Sequence, residues 1–231
     1  MIEALRSVSF EPFWLSFELA LLTTLLLFVV ALPLAWKLSQ TRSRFKPLIE
    51  ALSALPLVLP PSVLGFYFLV VFAPQSVLGT WLQEHLGLKL VFSFEGLVVA
   101  SMIYSFPFML QPLQNGFEAL NRHMIEASYL AGKGSWRTLV SVALPNIKPS
   151  LATALVITFA HTVGEFGLVL MVGGSIPGET RVASVAVYDA VEVMAYDQAH
   201  IYAAVLLALS FVVLLFVYGF NRRAKMLKET L

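Results

Sequence analysis

Apolar runs of about twenty residues alternate along this chain with short stretches in which basic residues gather. A bilayer-crossing helix needs about 20 mostly apolar residues. Five runs meet that length: residues 13–36, 49–72, 95–113, 151–172 and 201–220. The first is too long for the core of a secretory signal, and acids precede it while bases follow it, the reverse of a signal. It is expected to be a retained helix. Residues 182–196 are moderately apolar but contain Asp189 and Glu192. They predict a helix lying on or dipping into the outer surface, with a sixth crossing left open. In residues 73–94, Pro74, Gly79 and Gly87 flank a segment with Trp81, which predicts a short interfacial helix anchored by that ring. The expected fold class is an all-α polytopic membrane protein with about five transmembrane helices.

The bases set the orientation. Lys37, Arg42, Arg44 and Lys46 lie between the first two runs, Arg122, Lys133, Arg137 and Lys148 between the third and fourth, and Arg222, Arg223, Lys225 and Lys228 after the fifth. These are 12 of the 15 Lys and Arg residues, leaving Arg6, Lys89 and Arg181 for the other side. The positive-inside rule places the three rich regions in the cytoplasm, with the N-terminus outside and the C-terminus inside. An odd number of crossings agrees with that.

Composition supports a lipid solvent: 58% of residues are hydrophobic and 13% charged, against about 25% charged in soluble domains. Mean hydropathy is +0.82. With no cysteine, disulfides, thiolate nucleophiles and Cys-ligated metals are excluded. The four histidines, His85, His123, His161 and His200, form no metal-spaced pair. The polar stretches are too short to build a core, so residues 1–231 are expected to form a single transmembrane domain. No glycine-rich stretch leads into Lys-Ser or Lys-Thr, so no nucleotide-binding motif is present.

Two local features carry candidate chemistry. Pro56, Pro60 and Pro61 crowd the second run, with Gly65 after them. Each proline removes a backbone donor and disturbs the carbonyl four residues earlier. Lipid cannot satisfy such groups, so the stretch is expected to face protein or a water-filled pathway. A packing kink is the plainer alternative. The second feature is the cytoplasmic loop, about residues 115–148. Ala127, Leu130 and Ala131 share one face of a short amphipathic helix, Gly132 permits a close turn, and a second segment from Trp136 to Val142 leads into Leu144-Pro145, where Pro145 is expected to prevent simple continuation. Apolar residues exposed there suit docking into a partner's groove; an ordinary connector is the alternative.

This loop, with Glu126, Ala127, Ser128, Gly132, Val142, Leu144 and Pro145, resembles the "EAA" loop of bacterial type I ABC importer permeases. Ser128 and Val142 depart from the usual Ala and Ile. The resemblance implies a coupling helix that docks on a separate ATP-hydrolysing subunit. Three further stretches resemble the molybdate/tungstate branch: residues 55–65, Gly164-Glu165-Phe166-Gly167, and Ile176-Pro177-Gly178-Glu179-Thr180-Arg181. Sulfate and thiosulfate permeases are close relatives of that branch. The resemblance implies a homodimer in a prokaryotic cytoplasmic (inner) membrane, two ATPase copies that use ATP and Mg, and an external oxyanion-binding protein. It implies no cofactor on this chain, no nucleic acid and no catalytic residue.

Glu165 lies some 20 Å along the fourth run, counted from Leu151 at about 1.5 Å per residue. An intramembrane carboxylate should be paired, protonated or facing water. His161, four residues earlier, shares its helix face and is the expected partner. Two readings stay open: an outer gate, with Glu165 holding Arg181 or a backbone donor near Pro60 and Pro61, or a structural hydrogen bond between helices. Arg181 itself is expected to pair with Glu179, with contact to a binding protein or steering of the anion as alternatives. An intramembrane enzyme would need more than His161 and Glu165. An ion-coupled secondary transporter would have no use for the coupling loop.

Overall fold

Lipid offers no hydrogen bonds to a bare backbone, so each apolar run must close its bonds within itself. The computed structural model describes residues 8–229, with side chains placed through residue 215, and every regular element among them is helical. In chain order these are α1 (Glu11–Gln40), α2 (Lys46–Val58), α3 (Pro61–Phe72), α4 (Val77–Leu86), α5 (Phe94–Glu118), α6 (Arg122–Leu130), α7 (Ser135–Asn146), α8 (Lys148–Val163), α9 (Gly167–Gly173), α10 (Ala183–Glu192) and α11 (Tyr196–Glu229). Arg6 lies outside the described residues, as do the side chains of Arg222, Arg223, Lys225 and Lys228.

Helices α1, α5 and α11 are long and apolar enough to cross a membrane unbroken. The second predicted run is not one kinked helix. It splits at Leu59–Pro60 into α2 and α3, which meet at 110°. Pro60 has no N–H to continue α2, and Pro61 takes the first position of α3, where a missing N–H costs nothing. The fourth run is also broken: α8 stops at Val163, and α9 starts at Gly167 after an irregular Phe166. Upstream, α7 meets α8 at 85°. The helix expected within residues 182–196 is α10, whose 10 residues reach about 15 Å, too short to cross. It buries Ala183, Val185, Ala186 and Ala190 and packs on α1 and α11. The short helix expected within residues 73–94 is α4; Ser76 Oγ accepts from Gly79 N at 2.9 Å to cap it, and Gly87 closes it at φ 64°.

Helices α1, α5 and α8 pack on one another as the centre of the domain. Fully buried Ala31, Ala35, Ala100 and Ala154 let their backbones approach closely, as small residues do between membrane helices. Gly116 serves the same end, since a Cβ there would come within 2.6 Å of Ser150 Cβ. Two apolar cores result. One joins Leu27 and Trp36 of α1 to Met109, Leu113 and Phe117 of α5, Leu139 and Ala143 of α7, and Ala154 of α8. The other joins Leu19, Leu97, Leu168, Val172 and Val185, and so ties α9 and α10 to α1 and α5. Helix α2 is peripheral: among its residues only Pro56 is buried, while Leu52, Leu55 and Val58 are exposed.

Candidate functional site

The loop expected to couple, about residues 115–148, folds as a helical hairpin. Asn121 caps α6 by accepting from His123 N at 2.9 Å. Gly132 then takes φ +76°, a left-handed value that a side chain would strain. Lys133 N donates to Ser128 O at 3.2 Å and Gly132 N to Tyr129 O at 2.9 Å, so the last carbonyls of α6 are satisfied as the chain reverses. Helix α7 comes back against α6, and the hydroxyls of Ser128 and Thr138, both buried, meet at 2.9 Å. Ser128 is therefore more than a tolerated stand-in for alanine. Ser128→Ala strands the Thr138 hydroxyl and is expected to cost about 1–2 kcal/mol. Adding Thr138→Val should restore part of that loss, read as thermal unfolding in detergent.

The opposite face of the hairpin points away from the protein. Leu130 is 90% exposed and Trp136 66%, and Ala127, Ala131, Tyr129 and Val140 join them. Glu126 stays within the loop, 3.4 Å from His123 Nδ1, in an exposed pair of little energetic weight. Val142 and Leu144 are half-buried against the domain, and Pro145 is exposed. At Pro145 the helix does not simply continue. A wider π turn over Leu139–Ala143 precedes it, helical backbone continues to Asn146, and the Asn146 side chain donates to the Val142 carbonyl at 2.7 Å. The turn into α8 comes at Ile147 instead. The hairpin is fastened to the domain by Trp36: its Nε1 donates to Ser135 Oγ at 3.0 Å, and its ring meets Phe117 edge-on with centroids 5.2 Å apart.

The two helix breaks lie side by side. A Cβ on Gly167 would touch Pro61 Cβ at 3.3 Å, and one on Gly65 would press on Met171 at 2.9 Å, so α3 and α9 fit together only through glycine. Beside them lies a cavity of about 550 Å³ lined by Pro61, Tyr104, His161, Gly164, Glu165 and Phe166 among others. Of the pathway candidates, Pro61, His161 and Glu165 share this cavity. Pro60 forms the bend behind it, and Gly65 serves packing.

His161 is not bonded to Glu165. Its Nδ1 lies 2.9 Å from Ser105 Oγ, and its ring stacks on Phe108 and meets Tyr104 at a tilt, with centroids at 3.9 and 4.8 Å. The break after Val163 takes Glu165 off the face that regular helix geometry would share with His161. Glu165 is 4% exposed, and the Ser101 hydroxyl reaches its carboxyl group without the geometry of a regular hydrogen bond. Its backbone carbonyl accepts from Ser184 Oγ, joining the break to α10.

In the loop between α9 and α10, Thr180 is fully buried rather than displayed. Its hydroxyl donates to Gly173 O at 2.7 Å and accepts from Ile176 N at 3.0 Å, which pins the turn after α9. Glu179 is exposed. Arg181 pairs with Asp189 of α10 at 2.8 Å, not with Glu179 or Glu165. Asp189 also accepts from Ser175 Oγ, so one carboxylate gathers both sides of the loop. Sequence reasoning missed Trp36, Thr138, Ser101, Ser105 and Asp189. Only the isolated hydroxyls within apolar runs could have flagged the serines.

Comparisons with known proteins bear on this arrangement. Residues 28–226 match the model of the family described as "Binding-protein-dependent transport system inner membrane component". The chain is similar to the molybdenum transport system permease protein ModB of Azotobacter vinelandii, 51% identical over 90% of this chain and 92% of that one. It is also similar to a probable sulfate transport system permease protein, cysT of Nephroselmis olivacea, 31% identical over 92% of this chain and 74% of that one. A solved bacterial alginate ABC transporter, in complex with alginate pentasaccharide-bound periplasmic protein, contains a chain of the same fold. That likeness has a TM-score of 0.76 at 18% identity and covers 96% of this chain and 82% of that one. The chain belongs to the family of binding-protein-dependent transport system inner membrane components.

Proposed function

We propose that the chain is the permease of an ATP-driven importer of molybdate or, alternatively, tungstate. The carrying observation is its 51% identity, over nine-tenths of its length, to a molybdenum transport permease. The coupling hairpin supports the same reading: it displays Leu130 and Trp136 where a groove on a separate ATPase would take them. Glu126, Ala127, Ser128, Gly132, Val142, Leu144 and Pro145 build that hairpin. ATP and Mg bind the ATPase, and this chain carries no cofactor of its own.

Two copies, two ATPase subunits and an external oxyanion-binding protein make up the working assembly in this reading. The N-terminus faces outward, and residues 115–148 and the C-terminus lie in the cytoplasm. ATP binding draws the two ATPase subunits together and moves the coupling hairpins with them. Trp36 passes that displacement into α1 and α5, because one indole touches both helices and the hairpin. The pathway forms between the broken helices of two protomers, with Pro61, His161 and Glu165 beside it and Arg181 and Glu179 at the outer mouth.

Sulfate or thiosulfate import is the second reading, supported by the likeness to a sulfate permease. The two are separated by competition. In vesicles holding the complete transporter, uptake of labelled molybdate is expected to be blocked by excess tungstate and little affected by equal sulfate. Equal competition by sulfate would move the cargo to the broader oxyanion class.

A further inference from the structure

Helix α2 adheres weakly to its own domain. Among its residues only Pro56 is buried, while Leu48, Leu52, Leu55 and Val58 turn away from their own chain. It packs on α5, but little apolar burial holds it there. At one end it parts from α3 at 110°, through the non-helical backbone of Leu59 and Pro60. At the other, residues 41–45 link it to α1.

What fastens it is polar. Lys46 and Glu50 stand four apart on α2, and Gln114 and Glu118 stand four apart on α5, so each pair shares a helix face. The two faces meet. Lys46 Nζ lies 2.7 Å from Glu118 Oε1 and 3.7 Å from Glu50 Oε1. Gln114 is buried, and its Nε2 donates to Glu118 Oε1 at 3.0 Å and to Glu50 Oε1. Each carboxylate is thus held by both the ammonium and the amide, and the four side chains close into one network between α2 and α5. Lys46, Glu50 and Glu118 are partly exposed, and ion pairs open to water hold weakly. A contact of that strength suits an element that lets go in every cycle.

The network also adjoins the hairpin of α6 and α7. Lys46 and Glu118 line a cleft of about 540 Å³ together with Ile125, Glu126 and Tyr129 of α6. A hairpin that moves reshapes this cleft and reaches the network through it.

We propose that Lys46, Glu50, Gln114 and Glu118 form a latch that positions α2 as the cytoplasmic arm of the pathway, and that hairpin movement releases it. The latch rests on the importer reading above. Closed, it keeps α2 against α5. Released, α2 swings about the Leu59–Pro60 bend, where there is no helical ladder to break, and opens the cytoplasmic end between the broken helices.

The chain contains no cysteine, so an introduced pair reports on the latch without background. Lys46→Cys with Glu118→Cys leaves the Glu50–Gln114 bond in place. The permease–ATPase complex carrying this pair is treated with a short, reducible thiol cross-linker, without nucleotide and with a non-hydrolysable ATP analogue. Cross-linking is expected to fall about fivefold with the analogue, as the latched population shrinks. The linked complex is expected to hydrolyse ATP at less than about a tenth of the rate it regains on reduction. Neither readout uses cargo, so failure of the latch is distinct from failure of the molybdate reading, which shows in the competition assay alone. Glu118→Gln, close to isosteric, decides the matter if the cysteine pair does not fold. It is expected to raise ATP hydrolysis in the absence of the binding protein about threefold. A merely structural role would lower its unfolding temperature without raising hydrolysis. Equal or higher cross-linking with the analogue, full hydrolysis by the linked complex, or unraised hydrolysis in Glu118→Gln would each overturn the latch.

Discussion

Leu130→Asp is expected to reduce ATP-driven uptake by about two orders of magnitude while leaving the isolated permease as stable as the wild type. At 90% exposed, Leu130 is the barest large apolar side chain of the coupling hairpin and supports nothing within its own chain. In the proposed assembly its energetic role lies with the ATPase. An apolar anchor seated in a groove contributes through desolvation, and a carboxylate in its place would be buried without a counter-charge. The same variant should fail to hold the ATPase through purification. Unchanged uptake would show that the hairpin docks through other residues of that face, with Trp136 and Val140 as the remaining candidates.

Trp36→Ala carries the second large effect, on stability and coupling together. Trp36 is 6% exposed and lies in the core that joins α1, α5, α7 and α8. Removing a buried indole of this kind costs about 3–5 kcal/mol. Trp36→Phe should separate the two roles. It keeps most of the apolar contact with Phe117 but deletes the 3.0 Å hydrogen bond to Ser135. The phenylalanine variant is expected to lose only about 1 kcal/mol in thermal unfolding. If Trp36 transmits hairpin motion, this variant should hydrolyse ATP without matching uptake. Full coupling in Trp36→Phe would assign transmission to the α7–α8 connection.

Much of this architecture is local and so can be read along the chain. The apolar runs give the long helices because lipid leaves a backbone no other way to satisfy itself. Gly132 reads as a turn and takes positive φ, and the exposed apolar face of the hairpin follows from helical spacing. What escaped the sequence depends on distance or angle. Prolines at 60 and 61 announce a disturbance, but not that α2 and α3 part at 110°. His161 and Glu165 stand four apart and would pair on a regular helix, yet the helix ends between them. Arg181 had an acid two residues away but reaches Asp189, because the turn pinned by Thr180 aims it at α10. The bond between Trp36 and Ser135 spans 99 positions, and no local pattern encodes it. Pro145 announces an irregularity but not its form, a π turn ahead of it that accommodates the missing N–H.

The most direct measurement is uptake of labelled molybdate into vesicles prepared with this permease and the external binding protein, with and without the ATPase. The proposed function predicts uptake only when the ATPase and ATP are both present. Uptake of the same rate and extent without the ATPase would contradict it.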